Sequence, residues 1–473
     1  MNPSSFISFP KDFLWGAATR SFQIEGSPLA DGAAQSNWYR WTKTPGKIAN
    51  GDDADVACDH YHRFKADVAL MKQLGLKSYR FSISWPRVIP ERGKVNEKAL
   101  DFYRALMDEL NAAGITPFAT LFHWEVPLWA KGGWENRETA FAFEEYAKVV
   151  FEKLGSRSAF WVTQNEPSVV ASCGYLWGWF PEGKTSRNAY GQVTHHLNLA
   201  HGLAARAFRQ ANLKGELGWV MALGTFDSLT KKPEDLAHAE WMDIVHNRAY
   251  LDPATGRGYN PRFFDFTGKL QGPIEEDLKV IAQPVDFIGV NHYFRSLIRY
   301  KKGANIVDSE GQLPPGTPVG DMDFNWEVRP KSFGDILTYV WKNYGFKKIY
   351  VTENGIATRR SKRTEEELIE DDVRVHFLGS YLAEAKRVME AGVPLQGYFV
   401  WSLMDNFEWT HGYDPMFGII AVDFQTQKRT FKKSAHWYKK VIAENGFDLS
   451  QLPENPPYLL VPEPEKKIEK AVV

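Results

Sequence analysis

The chain is poor in cysteine: 473 residues contain two, Cys58 and Cys173. They form no Cys-x-x-Cys pair, so no disulfide framework is expected and a reducing compartment fits. Long hydrophobic runs are missing too. None approaches the roughly 18 residues that read as a bilayer-spanning helix. The opening residues, Met-Asn-Pro-Ser-Ser-Phe-Ile-Ser-Phe-Pro, lack the basic cluster and apolar stretch of a secretion signal. No Asn-x-Ser/Thr acceptor with a permitted middle residue occurs. Charge of one sign is absent: 57 Lys and Arg face 58 Asp and Glu, a formal net charge of −1. That excludes a general attraction to nucleic acid or to anionic membranes. The expectation is a cytoplasmic protein.

Aromatic residues are plentiful, at 14% of the chain with 17 Trp. Flat rings fill large cores, and they also stack on the apolar faces of sugars; composition does not choose between the two.

Strand-like and helix-like segments alternate. The pattern predicts strands over 13–18, 78–84, 117–122, 160–163, 217–223, 285–290, 348–352 and 395–402. It predicts helices over 67–75, 97–113, 139–154, 188–211, 233–246, 332–341, 370–390 and 433–442, several closed by glycine. The strands are near-continuous apolar runs, as parallel strands covered on both faces should be. Eight βα units argue for an α/β protein built as a single (β/α)8 TIM barrel with long βα loops. An open doubly wound sheet is the competing architecture. Residues 1–453 are expected to form the barrel, with 297–330 lying over its mouth. Residues 454–473, rich in Pro, Glu and Lys, are expected to form a loosely held tail.

In such barrels chemistry sits at the C-terminal ends of the strands. Two glutamates stand there: Glu166 in Trp161-Val-Thr-Gln-Asn-Glu-Pro167, and Glu353 in Tyr350-Val-Thr-Glu-Asn-Gly355. Paired carboxyls converging on one pocket are what cleavage of a glycosidic bond needs. The other strand ends gather Gln23, Arg80, His123, Asn165, Asn291, Tyr293, Trp401 and Glu408.

These segments resemble glycoside hydrolase family 1, the β-glucosidase and β-galactosidase family. The matching motifs span nearly the whole chain: Phe13-Leu-Trp-Gly-Ala-Ala-Thr19, Phe22-Gln-Ile-Glu-Gly26, Asp55-Val-Ala-Cys-Asp-His-Tyr-His62, Tyr79-Arg-Phe-Ser-Ile-Ser-Trp-Pro-Arg87, His123-Trp124, Asn165-Glu-Pro167, Tyr350 to Gly355, and Trp401-Ser-Leu-Met-Asp-Asn-Phe-Glu-Trp409. Their order and spacing, not any one tripeptide, carry the resemblance. It implies a retaining β-glycosidase acting on terminal β-D-glucosides, with tolerance for galactosides and fucosides. Glu353 would be the nucleophile, held ionised by Arg80 and Tyr293, and Glu166 the acid and then the base. Gln23, His123, Asn165, Glu408 and Trp409 would hold the sugar, with Trp401 as its platform. Trp177, Trp179, Phe180 and Trp326 would line the aglycone side. The partner would be a small glycoside or short oligosaccharide, with no metal or organic cofactor. An acidic Glu408 argues against a 6-phosphorylated sugar. A 6-phospho-β-glycosidase and a catalytically silent sugar-binding protein are the alternatives, and a transglycosylase differs only in its acceptor. Three positions depart from the family pattern: Gln164, His292 and Met416.

Two further patterns mislead by letter. Gly178-Trp-Phe-Pro-Glu-Gly-Lys-Thr185 fits phosphate-loop spacing, but Trp179, Phe180 and Pro181 add bulk and remove a donor where free N–H groups are needed. His195, His196 and His201 share a predicted helix and read as core or helix-facing side chains rather than metal ligands.

Overall fold

The computed structural model describes residues 5–322, 326–454 and 456–463. Eight parallel strands pair in chain order: β1 (Leu14–Ala18), β2 (Ser78–Ser82), β3 (Thr116–Phe122), β4 (Phe160–Asn165), β5 (Glu216–Ala222), β6 (Phe287–Asn291), β7 (Ile349–Asn354) and β8 (Leu395–Trp401). β8 returns to β1, pairing Tyr398 with Trp15 and Val400 with Ala17. That pairing closes the expected barrel and excludes the open sheet.

Helices cover the outside: α1 (His60–Leu74), α2 (Glu97–Ala112), α3 (Glu138–Leu154), α4 (Arg187–Gln210), α5 (Ile274–Ile281), α6 (Pro330–Tyr344), α7 (Asp372–Glu390) and α8 (Lys433–Glu444). Their inner faces follow the helical repeat; on α2, Leu100, Tyr103, Leu106, Met107 and Leu110 are buried. α1 ends where Gly75 turns left-handed at φ 77° and returns its N–H to Lys72 and Met71. The helix expected over 233–246 is not continuous. It ends at Asp243, widens into a π turn over Ile244–Arg248, and short helices Ala249–Ala254 and Pro261–Thr267 lead to α5.

The barrel interior is plugged by rings. Phe118, Phe160, Phe287, Tyr350 and Phe399 meet across the axis at centroid separations of 5.0 to 6.1 Å. Each buried ring contributes roughly 1.5–3 kcal/mol relative to exposure. A Cβ on Gly218 would lie 2.1 Å from Phe287 Cε2, so no side chain fits there. Register sets what stands with the plug. Arg80 pairs with Phe118 and Ala18, and Trp401 with Ala18, so Arg80 and Trp401 share the inner face.

The mouth segment expected as a loop has its own sheet. Arg295–Tyr300 pairs with Thr225–Ser228 and with Ser309–Glu310. Of the expected tail, Leu459–Leu460 pair with Pro318–Val319, and Tyr458 Oη lies 2.8 Å from His376 Nδ1; residues 464–473 lie outside the described residues. No helix among the described residues is long and apolar enough to cross a membrane. Cys58 and Cys173 are both free.

Candidate active site

Neighbouring residues of a regular strand point to opposite faces. The end of β4 breaks that rule. Its pairing with β5 slips between Val162 and Asn165. Glu166 then turns left-handed at φ 49°, ψ 58°, and Pro167 opens a short helix to Ala171. A non-glycine residue held there stores about 1 kcal/mol or more of strain. The result is that two consecutive side chains serve one pocket: Asn291 Nδ2 donates to both Asn165 Oδ1, at 3.1 Å, and Glu166 Oε1, at 2.9 Å.

Glu353 comes from the end of β7, where the register against β6 also slips, between Val351 and Glu353. Arg80 Nη1 donates to Glu353 Oε1 at 2.6 Å, and the Tyr293 hydroxyl to Oε2 at 2.8 Å. Arg80 Nη2 donates to Asn165 Oδ1, and Asn165 Nδ2 to His123 Nε2 at 2.9 Å. Thr352 Oγ1 fixes the other end of Asn291 by donating to Oδ1 at 2.7 Å. An unbroken hydrogen-bonded path therefore runs from Tyr293 through Glu353, Arg80, Asn165 and Asn291 to Glu166.

The two carboxyls sit in opposite settings. Burial, then the charge of Glu353, pushes Glu166 up to about 8, against the pull of Asn291, Arg80 and Asn165. At neutral pH Glu166 holds its proton. Glu353 is instead paired with a guanidinium and a phenol. Burial and the Glu353 charge raise Tyr293 well above the usual phenol range, so it stays a donor. Burial and the charges of Arg20 and Arg80 keep His123 well below the usual range, as a neutral ring.

Gln23 Nε2 lies 2.6 Å from Phe407 O and 3.2 Å from Glu408 Oε2. Burial pushes Glu408 up to about 8. The expected repulsion of a 6-phosphate rests on a charged Glu408, and burial favours its protonated form. Trp401 is buried at 4% exposure, its ring 6.3 Å from His123. Trp409 stacks on Trp124 at 4.3 Å and touches Trp38 at 4.2 Å.

A scan against protein families matches the family described as Glycosyl hydrolase family 1 over residues 6–447. The chain belongs to glycosyl hydrolase family 1. Beta-glucosidase A of Thermotoga maritima is 42% identical to this family 1 chain over 447 residues, 93% of the chain and 99% of the relative. Beta-glucosidase A of Acetivibrio thermocellus is 42% identical over 94% of the chain and all of the relative. Among solved structures, the family 1 β-glucosidase of T. maritima superposes with a TM-score of 0.89 at 41% identity, covering 93% of this chain and 99% of that one. The T. maritima enzyme has also been solved in complex with glucoimidazole.

The residues expected on the aglycone side have mixed settings in this family 1 chain. Trp177 and Trp179 stack at 5.2 Å, with Trp179 59% exposed. Trp326 packs on Tyr293 at 5.2 Å. Phe180 packs on Trp38 and Trp124 and backs Trp409. The departures from the family 1 pattern are held by structural contacts. His292 Nδ1 lies 2.9 Å from Leu223 O, Gln164 Nε2 donates to Leu197 O, and Met416 Sδ lies 4.0 Å from Arg360 Nη2. His195, His196 and His201 face Asp277, Trp134 O and Thr163 respectively.

Two residues escaped the sequence reading. Asn291 stood at a strand end without a role, and it links both carboxyl-bearing strands. Arg20 carried no signal; it is fully buried, its Cζ 3.5 Å from the centroid of Trp409.

Proposed function

We propose that this family 1 enzyme is a retaining β-glucosidase that removes terminal β-D-glucosyl units by double displacement. The observation that carries this reading is the hydrogen-bonded path joining Glu166 to an ion-paired Glu353, with burial and the Glu353 charge favouring the protonated form of Glu166. A Glu353 oxygen attacks the anomeric carbon while Glu166 gives its proton to the departing aglycone oxygen. Glu353 becomes an ester and loses its charge, which removes one of the two causes holding Glu166 up. Glu166 then takes a proton from water, the hydroxyl oxygen attacks the anomeric carbon, and Glu353 leaves as a carboxylate.

Arg80 and Tyr293 act on the nucleophile. Asn165, conjoined to Arg80 and His123, reads the 2-hydroxyl; Gln23, His123, Glu408 and Trp409 hold the remaining hydroxyls over Trp401. Trp177, Trp179, Phe180 and Trp326 border the aglycone. β-D-Galactosides and fucosides are slower substrates, short oligosaccharides are accepted, and the site of action is the cytoplasm. Residues 1–453 act as one catalytic unit. The names of the relatives, two of them beta-glucosidases, support the choice of glucose.

The test is kinetics on aryl β-D-glucoside, β-D-galactoside and 6-phospho-β-D-glucoside with wild type and Glu353→Gln, plus NMR of the first product. Wild type should favour the glucoside and release the β-anomer first, and Glu353→Gln should lose at least about 1000-fold in kcat. First release of α-glucose would contradict the double displacement. Azide added to Glu166→Ala should yield β-glycosyl azide.

A further inference from the structure

We propose that Arg20 is a further specificity residue of this pocket: with Glu408 it binds one hydroxyl of the glycone, the guanidinium donating to the hydroxyl oxygen and Glu408 accepting from the hydroxyl hydrogen. The inference rests on the reading above that Glu408 and Trp409 face the sugar.

Arg20 follows the end of β1 and stands just before the single helical turn Ser21–Ile24, which also carries Gln23, without a side-chain capping bond to it. It is fully buried, and none of its three guanidinium nitrogens has a hydrogen-bond partner among the described residues. An arginine brings five N–H donors. Leaving all of them unmet in the interior is costly, and stacking on an indole offsets only part of that cost. Stability alone therefore gives no reason for this side chain. Its place does. Cζ sits over Trp409, the residue after Glu408, and Gln23 on the same turn reaches Glu408 Oε2. Two more unpartnered polar atoms belong to the residues expected to hold the sugar, Gln23 Oε1 and His123 Nδ1.

The surroundings select the kind of ligand. Arg20 feels four carboxyls, Glu125, Glu408, Glu353 and Glu25, yet hydrogen-bonds to none of them. Its charge already has company; what it lacks is an acceptor atom within reach. A hydroxyl supplies that acceptor and also offers its hydrogen to Glu408. An anionic substituent would supply the acceptor but would offer no hydrogen for Glu408 to accept.

The test pairs Arg20→Met and Arg20→Lys with aryl β-D-glucoside, its 4-deoxy and 6-deoxy analogues, and the 6-phosphate. Wild type should lose on the order of 10- to 100-fold in kcat/KM on one deoxy analogue, the size of a hydrogen bond to a charged group. Arg20→Met should lose a similar factor on the parent glucoside but little more on that analogue, and Arg20→Lys should recover part of it. The Tm of Arg20→Met should equal or exceed that of wild type, because an unpartnered buried charge has been replaced by an apolar side chain. Equal losses on parent and both analogues, or a lowered Tm with uniform loss, would overturn the inference in favour of a packing role. A wild-type preference for the 6-phosphate would overturn it in favour of an anion site. Failure of wild type to cleave any aryl β-glucoside would instead overturn the pocket reading beneath it, while full activity with no coupling at Arg20 overturns this inference alone.

Discussion

Glu166 and Glu353 differ by environment rather than by chemistry, and the difference is measurable. Removing the Glu353 charge should lower Glu166, because that charge is the second of the two causes raising it; burial, the larger cause, remains. In Glu353→Gln the Glu166 carboxyl, followed by 13C NMR, should titrate below about 8 yet above the 4.5 of an ordinary glutamate. An unchanged midpoint would break the link between the two groups. In wild type, kcat/KM should fall as pH rises through about 8, where Glu166, the proposed acid, loses its proton in the free enzyme. Tyr293→Phe deletes one of the two direct donors to the Glu353 carboxylate oxygens. Its kcat should drop by about 10- to 1000-fold, the range for a preorganised donor, with KM for the glucoside changing far less. Equal kcat in the phenylalanine variant would remove Tyr293 from the machinery. Glu166 and Glu353 were legible in sequence because each stands in a motif at a strand end. Arg80, in the middle of β2, and Tyr293, just past β6, were named through the family resemblance, and both donate to Glu353. Arg20 was not: a lone arginine after a strand has no pattern, and its oddity, burial without partners, exists only in three dimensions.

The elements were legible where a period or a boundary was long enough to be seen. All eight barrel strands lie within two residues of their expected ends, because each is an apolar run closed by turn-forming residues. The short helices Asn37–Thr42, Pro167–Ala171 and Pro261–Thr267 were missed. Segments of one or two turns show no 3.6-residue repeat and depend on tertiary packing for their stability. The slips in β4 and β7 were equally invisible, yet they decide the site, since an unbroken β4 would turn Asn165 and Glu166 away from each other. The glycines in the barrel wall show the reverse dependence, where packing dictates sequence. Gly218→Ala forces Phe287 to move, since the new Cβ would meet its ring at 2.1 Å. Overpacking of this kind costs about 1–3 kcal/mol, so the denaturation midpoint should fall with the m-value unchanged. The same change on the outside of the barrel would cost little; a neutral result for Gly218→Ala would mean that the ring plug is looser than the distances indicate.

Across the whole molecule the balance of charge is near zero, so net repulsion does not set the dependence of stability on pH. Individual buried groups do, and they pull in two directions. Burial lowers His196 to about 4 and His292 to about 4. The unfolded chain binds those protons near 6.5 and the folded chain does not, so their contribution is present above about 6.5 and is lost as pH falls toward 4. Glu408 does the opposite. Its folded value, about 8, lies above the ordinary 4.5. Between those values the folded chain keeps a proton that the unfolded chain releases, so its contribution is full below 4.5 and disappears as pH rises through about 8. Glu166 adds to the same alkaline loss. A wild-type curve alone would mix these terms, whereas a variant isolates one. Glu408→Gln keeps the shape of the side chain and its neighbour Gln23 but cannot ionise. Its Tm relative to wild type should rise steadily from pH 5 to pH 9, with little difference at the acid end. Parallel Tm curves for the two proteins across that range would show that Glu408 does not carry a buried proton, and that the acidic wall around Arg20 is more highly charged than its burial implies.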